Sequence, residues 1–351
     1  MSFAFFSQAD LGFSPFFQQQ LTMDELEHCQ PARLIDVQGG QMLLWEQAGV
    51  SRVAIPGKWR QGPADQRPVI GDWLLMDAEK RPIRLLARLS YLARRASGHG
   101  HDTQGMAANI NTLFVVSSCN RDFNASRLER YLILANEGGC QPVILLTKAD
   151  LIPNADDFRR QAERLQRGLV VLTLDARKAN TQSLLEPWLS SGQTIAFLGS
   201  SGVGKSTLIN TLLGEERYAT QSTRTQDDRG LHTTTARSMV PMPGGTWLID
   251  TPGMRELRLG ESSQAMENVF ADIELLARGC QYRDCRHDGD GGCAVMAAVT
   301  AGNLDNRRLV NYLKLQREQA HLQESQWQQR DRQRRFSRMV NQVMNTKLGR
   351  R

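Results

Sequence analysis

No run of apolar residues in this 351-residue chain approaches the ~18 that a membrane-spanning helix needs. The first residues, MSFAFFSQADLGFSPFF, carry no basic lead and are interrupted by Gln, Asp and Pro, so no secretion signal is expected. The expected compartment is the cytoplasm, with no membrane partner. Aromatic residues make up only 7% of the chain, and cysteine appears six times. Three of these, Cys29, Cys119 and Cys140, are scattered and are expected to be small buried hydrophobes. In a cytosolic chain, the other three, which cluster with a histidine, read as a metal site rather than a disulfide framework. There is no internal repeat. The remainder is ordinary globular composition, 40% hydrophobic and 23% charged, in a length that allows two or three domains.

The net charge of +6 is unevenly placed. Between Arg330 and Arg351 there are eight Lys and Arg against one acid, Asp331, so that tail carries +7 and the rest sums to −1. A basic tail is either a solvated segment or a surface for a polyanion. Phe336, Val340, Val343 and Met344 recur among its arginines at helical spacing, a pattern suited to RNA or to a membrane surface.

Residues 1–30 read as an N-terminal extension with one short helix, LTMDELEHC. Residues 31–98 hold short β-like runs, ARLIDVQ, QMLLWEQ, SRVAIPG, DWLLMDA and PIRLLARL, separated by Gly and Pro turns. Five short strands in so few residues predict an OB-type barrel. Arg52, Lys58, Trp59, Arg60, Trp73 and Arg84 recur there, either as a nucleic-acid face or, for the tryptophans, as core. The segment ASGHGHDTQGMAA (96–108) reads as a linker. From 109 to 258 continuous apolar strands alternate with amphipathic helices, which predicts an α/β domain with a parallel sheet covered on both faces. Residues 262–325 read as a mainly helical domain around a Cys/His loop, and 326–351 as the basic tail.

GSSGVGKS, from Gly199 to Ser206, follows the apolar strand Thr194–Leu198 and opens a helix. Glycine there lets backbone N–H groups of Ser200, Ser201, Gly202, Val203 and Gly204 wrap phosphates at a helix N-terminus. Lys205 would reach the β- and γ-phosphates. Ser206 would hold Mg²⁺, with Thr207 behind it. TWLIDTPG places Asp250 at a strand end as a second Mg²⁺ group, and the Gly253 amide as a γ-phosphate sensor. Between them lies a polar stretch ending in HTTT (232–235), with the length of a switch. Thr234 or Thr235 should add a hydroxyl to the metal.

TKAD, Thr147–Asp150, ends a second apolar strand. The Asp150 carboxylate suits the N1–H and 2-amino donors of guanine, which adenine lacks, and the Lys148 stem would lie along the base beside Ala149. The next strand ends in Asp175-Ala176, at the place of the loop beside guanine O6. The base reader therefore precedes the phosphate loop, opposite to ordinary GTPases. Cutting the ordinary order after the DxxG segment and joining its old ends reproduces this sequence, with SLLEPWLSSGQ as connector. Domain termini often lie close together, so such a permutation costs little.

Cys280, Cys285, His287 and Cys293 fall within fourteen residues around Gly-rich HDGDGGC. Three thiolates and one imidazole favour a closed, structural Zn²⁺ site.

TKAD, GSSGVGKST, HTTT, DTPG and the Cys/His cluster, in that order, resemble the ribosome small-subunit-dependent GTPase A (RsgA) family of circularly permuted GTPases. The resemblance covers nearly the whole chain. It implies an OB barrel, a permuted GTPase domain with GTP and Mg²⁺, and a zinc domain. It further implies action as a late assembly factor of the small ribosomal subunit and its rRNA, with hydrolysis stimulated by the subunit and promoting release. A nucleotide-gated binder of another RNA is the alternative. Met254 stands where many GTPases have the water-orienting Gln, so slow intrinsic turnover is expected. His232 is either the replacement or a surface group that docks the switch, and the resemblance favours the catalytic role. A monomer is expected.

Overall fold

The computed structural model describes residues 6–95, 103–178, 180–216, 238–250, 263–289, 291–320 and 331. Five strands of the N-terminal region are β1 (Gln30–Gln38), β2 (Gln41–Glu46), β3 (Gly49–Ala54), β4 (Trp73–Met76) and β5 (Pro82–Leu85). They pair antiparallel in the order β3-β2-β1-β4-β5. This is the OB-type arrangement, and among the described residues no ladder joins β3 to β5. Helices α1 (Pro15–Gln18) and α2 (Met23–His28) precede the barrel, and α3 (Gly57–Gln61) lies between β3 and β4. In α2 the Thr22 hydroxyl accepts from Glu25 N–H while the Glu25 carboxylate accepts from Thr22 N–H, a capping box.

Trp59 and Trp73 are 7% and 0% exposed, and Trp59 packs with Leu34, Leu44 and Leu74. These tryptophans are core and cannot stack on RNA bases. Arg84 is paired with Glu25 at 2.7 Å. Arg52, Lys58 and Arg60 remain exposed.

Residues 103–108, read from sequence as linker, form instead the strand β7 (Thr103–Ala108), hairpinned with β6 (Tyr91–Arg95). The Gly and polar residues of this segment hide its β character. The pairing also needs Gly105, where a Cβ would lie 2.5 Å from the Tyr91 hydroxyl.

The α/β region then runs β8 (Thr112–Ser118), α4 (Ala125–Glu137), β9 (Gln141–Thr147), α5 (Ala155–Glu163), β10 (Val170–Thr173), α6 (Asn180–Leu185), β11 (Thr194–Gly199), α7 (Lys205–Leu213), β12 (Ser238–Pro241) and β13 (Trp247–Asp250). The order β10-β9-β8-β11-β13 is parallel throughout. Every residue of β8 and β11 is buried, as strands covered on both faces must be. Phe114, Val143, Leu145, Ile195, Phe197 and Leu208 form one core cluster here, each side chain contributing about 1.5–3 kcal/mol on burial. β12 is antiparallel to β13 and meets β1 at Asp36↔Ser238, so the nucleotide sheet runs on into the barrel. The N-terminal segment locks the seam: Phe6 stands edge-on to Trp45 and Trp247, and Trp247 Nε1 donates to Asp10 O at 2.7 Å.

The barrel, the nucleotide sheet and α8 (Ser263–Val269) belong to one compact unit, from which only Ser263 is excepted. A second unit holds the described residues from Phe270 on, with α9 (Ala271–Ala277), α10 (Ala294–Thr300) and α11 over 306–320. No helix among the described residues is long and apolar enough to cross a membrane.

Candidate functional site

The five parallel strands end on one edge of the sheet, and that edge carries the predicted chemistry. β8, β9 and β10 step outward in one direction, while β11 returns to the other side of β8. The crevice beyond the β8/β11 carboxyl ends is thus a topological switch point, where open α/β sheets bind ligands. A cavity of about 290 Å³ lined by Gly12, Arg33, Asn111, Gly192 and Gln193 lies at the opposite, amino-terminal edge.

β11 delivers the chain to Gly199, whose added Cβ would stand 2.3 Å from the Val116 carbonyl. Gly202 and Gly204 take φ of +79° and +95°, the left-handed region that glycine alone enters without strain. Gly204 is the N-cap of α7. Ser200, Ser201, Val203, Ser206 and Thr207 thus surround a helix start, with Ser201 exposed and Val203 buried. Lys205 Nζ donates to the carbonyls of Gly199 (2.7 Å) and Ser200, so its ammonium lies over the loop.

The TKAD turn grips this loop at two points. Lys148, at φ +60°, donates from Nζ to Gly202 O at 2.8 Å. Thr147 is fully buried, and its hydroxyl donates to Val203 O at 2.5 Å and lies 3.2 Å from Ser117 O. Its side chain is turned under the Gly199–Ser206 loop. Ala149 and Asp150 follow in a short 3₁₀ turn.

Asp150 and Asp175 share a cation. Arg177 Nη2 donates to Asp150 Oδ2 at 2.7 Å and to Asp175 Oδ2 at 3.2 Å, while Nε donates to Asp175 Oδ1 at 3.0 Å. The Arg177 hydrogen bond is the main cause holding the Asp175 carboxyl below its ordinary value. The neighbouring Ala176 is buried, and its carbonyl accepts from Thr211 of α7 at 2.7 Å.

Sequence reading missed Arg127. It lies in the first turn of α4, after the Asn124 cap, and Nη1 donates to Ser200 Oγ at 2.6 Å. Only its place just after β8 signals it. Asp250 closes β13 beside β11. His232, Thr234, Thr235, Gly253 and Met254 lie outside the described residues.

In the second unit, ligand atoms of Cys280, Cys285, His287 and Cys293 lie within 4.8 Å of one another and could hold a metal ion. The Cys280–Cys293 sulfurs are 3.9 Å apart, and His287 Nδ1 is 3.6 and 3.4 Å from them. Tetrahedral Zn–S bonds of about 2.3 Å put ligand atoms at about this spacing, whereas a disulfide needs about 2.05 Å. Positive φ at His287 (+60°), Gly289 (+128°) and Gly292 (+74°) bends the loop around that point. The Cys285 thiol is pushed up to about 12. A backbone bond from His287 favours its thiolate, but burial and the sulfurs of Cys293 and Cys280 outweigh it. Three crowded thiols cannot all ionise without a cation among them.

The RsgA GTPase family model matches residues 85–260. "Small ribosomal subunit biogenesis GTPase RsgA 2" of Vibrio vulnificus is 44% identical over 342 residues, covering 97% of this chain and 96% of its own. The chain belongs to the RsgA GTPase family. A Mesorhizobium japonicum relative, "Small ribosomal subunit biogenesis GTPase RsgA", is 45% identical over 319 residues, 90% of each chain. In fold the chain is similar to the crystal structure of YjeQ from Thermotoga maritima, with a TM-score of 0.59 and 21% identity over 83% of this chain and 99% of that one. It is equally similar to YloQ, described as a circularly permuted GTPase, with a TM-score of 0.59 and 22% identity over 84% and 96%. RsgA membership makes the protein a GTP hydrolase, and the permuted order of TKAD and the phosphate loop is the family's architecture.

Proposed function

We propose that this GTPase acts in late assembly of the small ribosomal subunit, binding its rRNA, and that hydrolysis stimulated by the subunit promotes release. The names of relatives that align over almost the full chain carry this reading. They do not favour a non-ribosomal RNA target. The exposed Arg52, Lys58 and Arg60 and the basic tail supply cationic surface for a phosphate backbone. The protein works as a cytoplasmic monomer.

Asp150 reads the guanine donor edge, Lys148 lays its stem along the base, and the loop from Gly199 to Gly204 wraps the phosphates. Lys205 then trades its loop carbonyls for β- and γ-phosphate oxygens. Thr147 acts as a support of the loop from below. Ser206, Asp250 and Thr234 or Thr235 would hold Mg²⁺, which would supply neutralisation of phosphate charge. Gly253 senses the γ-phosphate, and His232 orients the attacking water in place of the absent Gln. Cys280, Cys285, His287 and Cys293 would hold Zn²⁺ as a structural ion.

GTP turnover measured with and without purified small subunits tests the proposal. Strong stimulation by small and not large subunits is expected. Equal rates in both would overturn the ribosomal role.

A further inference from the structure

Arg177 touches both carboxylates at the base end of the site, yet its side chain is 66% exposed and it anchors no core. Its guanidinium covers both oxygens of Asp175, and its own backbone N–H adds a third bond to Oδ1 at 3.1 Å. A single nitrogen, Nη2, reaches Asp150 and Asp175 together. The two carboxylates are therefore immediate neighbours.

That adjacency is a hazard for guanine. Asp150 suits the N1–H and 2-amino donors, but the next group around the ring is O6, an acceptor. A bare carboxylate at Asp175 repels O6 and attracts the 6-amino group that adenine carries in its place. The Asp175 carboxyl is held ionised, so protonation at neutral pH does not relieve the conflict. With Arg177 in place the pair carries the net charge of one carboxylate, and both Asp175 oxygens are already engaged.

We propose that Arg177 is a positioning residue for base specificity: by engaging both oxygens of Asp175 but only Oδ2 of Asp150, it leaves Asp150 as the carboxylate with open acceptor capacity toward the base and so favours guanine over adenine. This rests on the reading of Asp150 as the guanine reader.

The test uses the full chain and displacement of a fluorescent GDP by GDP or ADP, with circular dichroism as a control for folding. Arg177→Ala should lower the GDP-over-ADP preference by about tenfold. Arg177→Ala combined with Asp175→Ser should return the preference to that of Asp175→Ser alone, because no carboxylate remains to be capped. A purely structural role for Arg177 would not be rescued by removing its partner. Tighter GDP binding by Arg177→Ala would show that the guanidinium competes with the base and would overturn the proposal. So would an unchanged preference, or a double variant no better than Arg177→Ala. Asp150→Asn, measured in parallel, separates the two levels. If it keeps its guanine preference, the base-reader reading itself falls. If it loses that preference while Arg177→Ala is silent, only the inference about Arg177 falls.

Discussion

The hydroxyl of Thr147 donates to the carbonyl of Val203 at 2.5 Å, tying the end of β9 to the middle of the Gly199–Ser206 loop. The two residues are 56 positions apart. The short β-branched side chain of Thr147 is fully buried and its hydroxyl still reaches the loop. Thr147→Val keeps the shape but strands the Val203 carbonyl, a loss of about 1–3 kcal/mol. The KM for GTP should rise by roughly tenfold, while Thr147→Ser stays near wild type. Steady-state kinetics of the two variants checks this.

Base selection should follow the donor pattern facing Asp150. Asparagine presents an amide N–H₂ in place of one carboxylate oxygen, and xanthine presents a carbonyl where guanine has its 2-amino group. Asp150→Asn should therefore lose GTP and gain XTP turnover, a reversal of at least about 100-fold in relative kcat/KM. Competition between the two nucleotides reads it directly.

The Cys₃His cluster should hold one zinc per chain, measurable by elemental analysis. Removing one ligand by Cys293→Ala also deletes the side-chain acceptor of the Met296 N–H that caps α10. Metal content should fall below half an equivalent, and helical signal should drop with it. Acidification should release the metal as well, because the ligands bind only when deprotonated.

The capping box of α2 gives a pH-dependent contribution. The Glu25 carboxyl is lowered from 4.5 to about 2, first by the Arg84 hydrogen bonds and then by the Thr22 N–H. Its folded pKa lies below its unfolded one. The stabilisation is therefore complete above 4.5 and is lost as pH falls from there toward 2. Glu25→Gln should lower the denaturation midpoint at pH 7, and the gap from wild type should narrow steadily below pH 4.5. Urea titrations of both proteins at several pH values test the sign.

Much of the site was legible because its signals are local. The phosphate loop needs glycine at fixed offsets between a strand and a helix, and the metal cluster needs four ligands within fourteen residues. The order of TKAD and GSSGVGKS likewise shows in the linear chain. Most strands followed from apolar runs between turn residues.

What stayed hidden depends on contacts distant in the chain. Strand β7 sits in a segment whose composition reads as linker, and β12 pairs with β1 across some 200 residues. Arg127 meets Ser200 73 residues away, and Arg177 meets Asp150 27 residues away. An arginine in sequence has no partner until the fold supplies one. The amino acids by themselves determined that the protein is a GTPase and which four side chains could hold a metal ion, because those depend on residue type and short spacing. Only the tertiary structure decided that Thr147 supports the phosphate loop, that the barrel tryptophans are core, and that one guanidinium lies between the two carboxylates at the base end. Those roles are set by which side chains the packed sheet brings within hydrogen-bond reach.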